Sequence, residues 1–384
     1  IEVYKYNKTR NYLIKLNTFL IFEDLNQFFM NLHPKIAVFG GGSWATAIVK
    51  MLCENLDTVG WYMRSSSVKE HIIENKHNPN YLSSAELHPE QLYLSNDINN
   101  VIQKYDILIF AIPSAFLIAE LAKATTSLED KIIFSAIKGI VPETGLIVGE
   151  HFINTYNVPL DNIGVITGPC HAEEVAMERL SYLTIACNDS VKAEMISVSL
   201  KSRYIKTKIS DDIIGTEYAA VLKNIYAVAA GIAHGLGYGD NFQSVLMSNA
   251  IREMKQFIEK VHKMKRNINN SAYLGDLLVT GYSLFSRNRL FGNMIGKGYT
   301  VKSAQTEMSM IAEGYYATKS AYKIKVNKGV NTPIIDAVFH VLYENPFPCN
   351  HFPLIIFNLK SLQALINNSY QLFSVAQVFL RIFC

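Results

Sequence analysis

The sequence predicts an α/β fold, a doubly wound parallel sheet followed by an all-helical C-terminal domain, and three observations carry that expectation. Apolar runs of strand length at residues 35–39, 59–62, 107–112, 132–136, 164–167 and 182–186 alternate with helical stretches such as 44–54 and 115–123. That is the rhythm of successive βαβ units. Gly40-Gly41-Gly42-Ser43-Trp44-Ala45 stands between the first such strand and the first helix. From about residue 189 the strand-like runs stop, and helical periods take over at 191–201, 213–233, 243–265, 302–322 and 333–343.

The chain has 384 residues, 49% apolar and 18% charged, enough to bury a large core and too little charge for a disordered protein. Its length suggests two domains. We expect an N-terminal extension at 1–29, a dinucleotide-binding domain at 30–210, a helical substrate domain at 211–344 and an atypical tail at 345–384. Met30 is a plausible initiator, and the tail carries only Lys360 and Arg381 as charges, with Pro346, Pro348 and Pro353 close together. Lys15 and Glu23 bracket the apolar piece at 19–22 with no small-residue cleavage site, so neither a signal peptide nor a membrane span is expected there. The segment 361–380 contains Gln363, Asn367, Asn368, Gln371 and Gln377, too polar for a bilayer.

Thirty-six basic residues against 33 acidic ones give a net charge of only +3, without basic blocks, so no nucleic-acid partner is expected. The five cysteines are scattered and lack metal-ligand spacing, which argues for reduced thiols, a cytoplasmic location and no metal.

The glycine loop fits G-x-G-x-x-A in the strand-loop-helix context that gives the pattern meaning. Gly40 permits a tight turn, Gly42 lets backbone approach a pyrophosphate, and the small Ala45 lets helix and strand pack closely. Free N–H groups at the helix start face the phosphates. At the end of the second strand Arg64 stands where a ribose-binding acid is usual, and its guanidinium suits a 2′-phosphate, so NAD and NADP are both admitted. A solvated arginine at a strand end is the plainer alternative.

Several polar residues interrupt apolar sequence. Lys138 follows the apolar run that begins at Ile132, at the sheet edge where ligands bind, unless it merely caps the strand in solvent. Lys223 breaks the run from Ala219 to Ala230 together with Asn224, and a buried lysine needs an anionic partner or an open cleft unless it reaches the surface. Asp276, in Leu274-Gly275-Asp276-Leu277-Leu278, is either that partner or a helix cap. Ser286-Arg287-Asn288-Arg289 concentrates donors able to clamp a phosphate, although a solvated loop can share these letters. His171 reads as a ligand contact and His234 as a satisfied turn residue.

In this order the motifs resemble the bacterial-type NAD(P)-dependent sn-glycerol-3-phosphate dehydrogenases, from about Lys35 to Glu344. The ordered set is Gly40 to Ala45, Ile137-Lys138-Gly139, Thr167-Gly168-Pro169-Cys170-His171-Ala172-Glu173-Glu174 and Leu222-Lys223-Asn224. It continues with Gly235-Leu236-Gly237-Tyr238-Gly239-Asp240-Asn241, Leu274-Gly275-Asp276-Leu277, Ser286-Arg287-Asn288-Arg289 and Glu313-Gly314-Tyr315. The resemblance implies a Rossmann-like domain followed by an all-helical one, with the active site between them. It implies Lys223 as the catalytic lysine, assisted by Asp276. Substrate contacts would come from Lys138, Gly168, Cys170, Asp276, Ser286, Arg287 and Asn288. Coenzyme contacts would come from Gly40, Gly42, Ser43, Trp44, Arg64, Lys138, Ala172, Arg287, Ile311 and Glu313.

The implied activity is reversible reduction of dihydroxyacetone phosphate to sn-glycerol 3-phosphate with NADH or NADPH, feeding glycerophospholipid synthesis, with a homodimer left open. The alternatives are another two-domain hydroxyacid or sugar-nucleotide dehydrogenase, which would not need the 286–288 clamp, or a non-catalytic dinucleotide-binding module. Three positions depart from the pattern. Cys170 stands where Ser or Thr is usual, replacing a good hydroxyl donor with a weak thiol; Met63 is larger than usual, and Leu290 replaces a frequent Arg.

Overall fold

The computed structural model describes residues 34–308 and 312–344. The expected extension at 1–29, the expected tail at 345–384 and Ile311 lie outside the described residues.

Eight strands form one sheet: β1 (Ile36–Phe39), β2 (Val59–Tyr62), β3 (Leu92–Ser95), β4 (Ile107–Phe110), β5 (Ile132–Ser135), β6 (Ile163–Thr167), β7 (Ser181–Cys187) and β8 (Ile205–Ser210). Their order is β3-β2-β1-β4-β5-β6-β7-β8. The first six run parallel, β7 pairs antiparallel with β6, and β8 runs parallel to β7. β1 and β4 are buried along their whole length. Alternate residues of β1 feed opposite faces, Ile36 and Val38 entering one apolar core and Ala37 and Phe39 the other, as the two-residue period of a strand requires.

The helices of the first unit cover both faces: α1 (Ser43–Cys53), α2 (Ser66–Asn75), α3 (Ile98–Lys104), α4 (Leu117–Leu121), α5 (Val148–Tyr156), α6 (Ala172–Ala176) and α7 (Ser190–Leu200). The second unit comprises α8 (Ile213–Gly235), α9 (Asp240–Val261), α10 (Asp276–Tyr282), α11 (Arg287–Gly296), α12 (Val301–Glu307), α13 (Glu313–Lys328) and α14 (Pro333–Phe339).

Three expectations change. Strands do not stop at residue 189, because β8 follows α7 and joins the sheet beside β7. The sheet is mixed rather than wholly parallel. The helical period at 302–322 is two helices, α12 and α13. β3 and β8 escaped the apolar-run criterion because they are the sheet's edges: β3 is mostly half-buried, and β8, Ile-Lys-Thr-Lys-Ile-Ser, exposes Lys206. The lysines of β8 resist pairing with other chains and make it unlike a core strand in sequence.

α8 is the axis of the second unit. It is apolar around most of its circumference and nearly every residue from Ile213 to Ala233 is buried, as such a helix must be. Two buried glutamates tie helix starts to this layer. Glu217 of α8 accepts from the Gly149 N–H at 3.1 Å, near the start of α5, and Glu253 of α9 accepts from the Ile334 and Ile335 N–H groups of α14. Burial pushes both carboxyls up to about 8.

α11 lies against α8 closely enough that glycine is required on both sides. A Cβ on Gly231 would stand 2.1 Å from the Arg289 carbonyl oxygen, and one on Gly292 would stand 2.1 Å from that of Val228. Backbone cannot yield as a flexible side chain can. Gly292→Ala is therefore expected to destabilise the protein by about 1–3 kcal/mol, the usual cost of overpacking. A thermal melt indistinguishable from that of the parent would show that the seam can open.

Candidate active site

A cleft of about 600 Å³ opens at the C-terminal ends of β1, β2, β4 and β5, facing α8 and α11. The topology puts it there, because the strand order reverses around β1 and β4 and leaves a crevice beyond their ends.

One end is the glycine loop. Gly40 has φ +131°, and a Cβ there would lie 2.7 Å from the Ala111 carbonyl oxygen beyond β4. Trp61 Nε1 donates to the Gly40 carbonyl at 2.6 Å, and Asn78 Nδ2 donates to Gly41 O at 3.2 Å and Thr46 Oγ1 at 2.9 Å. Gly42 precedes α1 without any side-chain cap, and no atom lies within 4 Å of where its Cβ would be. The first N–H groups of α1 are thus presented to open space, an arrangement suited to a phosphate. Ser43, Trp44 and Ala172 line the adjoining wall.

Arg64 ends this wall, its side chain 66% exposed, its guanidinium 5.8 Å from the Phe116 ring and its Nε 3.7 Å from Glu120 Oε2.

At the other end stand Lys223 and Asp276. Lys223 is only 3% exposed and Asp276 1%, and Lys223 Nζ donates to Asp276 Oδ1 at 2.5 Å. Burial pushes the Lys223 ammonium down to about 7 against the opposing pull of Asp276, with nearby Lys138 lowering it further. Lys138 Nζ is 4.0 Å from Asp276 Oδ2 and 5.2 Å from the centre of the Trp44 ring. Asn224 Nδ2 donates to the Lys138 carbonyl at 2.7 Å, fixing the strand-end turn to α8.

The reading of Asp276 as a helix cap does not hold, because Gly275 is the cap position of α10 and no side chain caps that helix; Asp276 pairs with Lys223, as expected of a partner. Its placement traces to Asp212, which caps α8 through the Gly215 N–H at 2.9 Å. The same carboxylate receives Arg266 Nε at 2.7 Å and the Tyr273 hydroxyl, from the π-helical turn immediately before Asp276. One buried carboxylate therefore registers the two elements that carry the pair.

Ser286, Arg287 and Asn288 reach the cleft from the start of α11. Ser286 Oγ accepts from the Arg289 N–H at 3.3 Å and caps the helix, while Asn288 Oδ1 accepts from the Gly314 N–H at 2.9 Å. Glu313 also lines the cleft, but its carboxylate receives the Ser114 N–H at 2.9 Å and hydroxyl at 2.6 Å. It joins the second unit to the loop after β4.

Cys170 and His171 complete the lining. Burial pushes the Cys170 thiol up to about 12, and burial, with Lys223 and Lys138 nearby, pushes His171 down to about 4, so both are neutral at pH 7. Gly168 does not line the cleft. Its φ of +122° and its approach to the Tyr182 carbonyl shape the loop that brings Cys170 there. His234 sits at the far end of α8, its Nδ1 2.9 Å from Asn293 Oδ1. Among the described residues no group of three or more His, Cys, Asp or Glu is arranged to hold a metal, and no helix is long and apolar enough to cross a membrane.

Sequence reasoning missed Asn78, Ser114 and Glu120. Ser114 was within reach, since it follows β4 at the ligand-binding edge of the sheet. Nothing local marks Asn78 or Glu120.

Because Lys223 has lost much of its basicity to burial, its amine is expected to react with an acylating reagent with a midpoint near pH 7, followed by peptide mass spectrometry. Asp276→Asn removes the pairing charge and is expected to move that midpoint lower. A midpoint in the ordinary lysine range for the parent would contradict this environment.

Comparison with known proteins agrees with the geometry. Residues 35–193 match the family model described as NAD-dependent glycerol-3-phosphate dehydrogenase N-terminus, and residues 212–351 match that of the C-terminus. The second match runs past Glu344, where the resemblance read from the sequence ended. A glycerol-3-phosphate dehydrogenase (NAD(P)+) from Exiguobacterium sp. (strain AT1b) is 34% identical over 315 residues, covering 82% of this chain and 92% of the relative. Its counterpart from Staphylococcus epidermidis is 34% identical over 316 residues, covering 81% and 94%. The crystal structure of glycerol-3-phosphate dehydrogenase from Coxiella burnetii superposes with a TM-score of 0.78 at 25% identity, covering 85% of this chain and 99% of that one. A glycine loop at the sheet's reversal point, a buried lysine–aspartate pair opposite it, and family matches spanning both units agree that the chain belongs to the NAD-dependent glycerol-3-phosphate dehydrogenase family.

Proposed function

We propose that this cleft reduces dihydroxyacetone phosphate to sn-glycerol 3-phosphate with NADH or NADPH, reversibly, in the cytoplasm and at the entry to glycerophospholipid synthesis. Residues 30–210 would supply the coenzyme wall and 211–344 the substrate wall. The observation that carries this reading is the buried Lys223–Asp276 pair on the same cleft as the Ser286–Arg287–Asn288 group.

The glycine loop fits a dinucleotide: the space at Gly42 and the uncapped start of α1 leave room and donors for a pyrophosphate. A bound nicotinamide supplies the hydride for the substrate C2 carbon. Lys223 donates the proton that the developing C2 alkoxide needs, and accepts it in the reverse reaction. An ammonium lowered to about 7 is matched to both roles at neutral pH. Asp276 holds that ammonium in place, and Lys138 adds positive charge where the oxyanion grows. Arg287 and Asn288 grip the substrate phosphate, anchoring a molecule too small to be positioned by its carbon skeleton. The neutral Cys170 thiol offers a weak donor in place of the usual hydroxyl.

Lys223→Ala is expected to lower kcat by about 10²–10⁴-fold while coenzyme binding survives. Asp276→Asn acts on the same proton and should combine with it non-additively. Near-normal turnover in the first variant, or strictly additive losses in the pair, would refute the assignment.

The rate of reduction requires protonated Lys223 and is expected to fall as pH rises through about 7, whereas the rate of oxidation should rise over the same interval. Parallel profiles in the two directions would exclude Lys223 as the proton donor.

Arg287→Lys keeps the charge but loses the planar fork, so KM for dihydroxyacetone phosphate should rise more than KM for the coenzyme. An equal rise in both would remove Arg287 from phosphate recognition.

A further inference from the structure

The usual carboxylate for the adenosine ribose, about 20 residues beyond the glycine loop, is absent from the end of β2, where Arg64 stands instead. The fold supplies a carboxylate at the same place from another element. Glu120, on α4 beyond β4, lines the cleft beside Tyr62, Arg64 and Phe116, with a side chain only 5% exposed.

Its two oxygens are in different situations. Oε1 is held by the Tyr62 hydroxyl and by Lys123 Nζ at 2.6 Å. Oε2 faces Arg64 Nε at 3.7 Å, beyond hydrogen-bond length, and so has acceptor capacity for a ligand donor. The tyrosine and lysine fix the carboxylate, which therefore cannot swing away when a ligand arrives.

Resting on the dinucleotide reading of this cleft, we propose that Glu120 reads the 2′ position of the adenosine ribose, favouring a hydroxyl and opposing a phosphate, in counterpoise to Arg64. A 2′-hydroxyl donates to Oε2, the contact that a dinucleotide domain ordinarily makes from the end of its second strand. A 2′-phosphate brings nearly two negative charges against a fixed, largely desolvated carboxylate, and that carboxylate already neutralises part of the arginine that would attract it. Coenzyme preference is thus set by two opposed side chains, one just beyond β2 and one on α4, and removing either tips it in a defined direction.

The test is equilibrium binding of NADH and of NADPH to the full chain, followed by nicotinamide fluorescence without substrate. Glu120→Gln keeps the shape and an oxygen for Tyr62, and is expected to raise the affinity for NADPH relative to NADH by about tenfold or more. Arg64→Ala, at an exposed position that the fold tolerates, leaves Glu120 unopposed, so NADPH should bind at least about tenfold more weakly than NADH. Equal affinity for the two coenzymes in Arg64→Ala, or an unchanged ratio in Glu120→Gln, would overturn the role of Glu120. Failure of the parent to bind either coenzyme would overturn the dinucleotide reading along with it. Normal coenzyme binding without turnover of dihydroxyacetone phosphate would overturn only the proposed activity, because this experiment uses no substrate.

Discussion

An ammonium and a carboxylate with almost no access to water face each other at 2.5 Å between α8 and α10, and the rest of the architecture is organised around keeping them there. Either charge alone at that depth would be strongly destabilising, since taking an ion out of water is compensated only by a well-placed partner. The pair is not fully compensated: Asp276 Oδ2 has no hydrogen-bond partner, and Lys138 stands off at 4.0 Å. Burial outweighs the stabilising pull of Asp276, and together with the nearby charge of Lys138 it lowers the lysine toward neutral pH.

The two units meet through polar contacts concentrated at the same place. Asn224 reaches the Lys138 carbonyl, Glu313 takes both donors of Ser114, and Glu217 meets the Gly149 N–H near the start of α5. Each contact runs from the helical unit to a loop or helix start at the edge of the sheet. Asn288 extends the chain of contacts by holding Gly314, directly after Glu313. The two walls of the cleft are therefore registered by hydrogen bonds rather than by apolar packing alone, which favours one relative placement over sliding alternatives. The glycine seam between α8 and α11 serves the same end, bringing Arg287 and Asn288 toward the helix that carries Lys223.

Much of this was legible in the residues. The central strands announced themselves because parallel strands buried on both faces must be continuously apolar. The glycine loop was legible because only particular residues permit that turn. Lys223 stood out by violating the apolar rule of its own helix. The edges were not legible: β3 offers only three half-buried apolar residues, Leu92 to Leu94, and β8 is broken by Lys206 and Lys208, so neither gives the long apolar run of a core strand. Nor were α10 and α11, short helices whose first residues find partners distant in sequence: Asp276 pairs with Lys223, and Asn288 accepts from the Gly314 N–H at the start of α13.

The sequence by itself determined the class of fold, the position of the glycine loop and the identity of the charged residues that had to find partners. It could do so because those features depend on neighbours along the chain: periodicity, turn geometry and the cost of burying a charge. Tertiary structure alone decided which partners they found. Asp212 registers α8 against the turn before Asp276, Ser114 occupies the carboxylate of Glu313, and Glu120 comes to rest beside Arg64. These pairings join residues from about 50 to about 200 positions apart, and no local pattern encodes them, because their geometry arises only when the strands have taken their order in the sheet and the helices have packed against it.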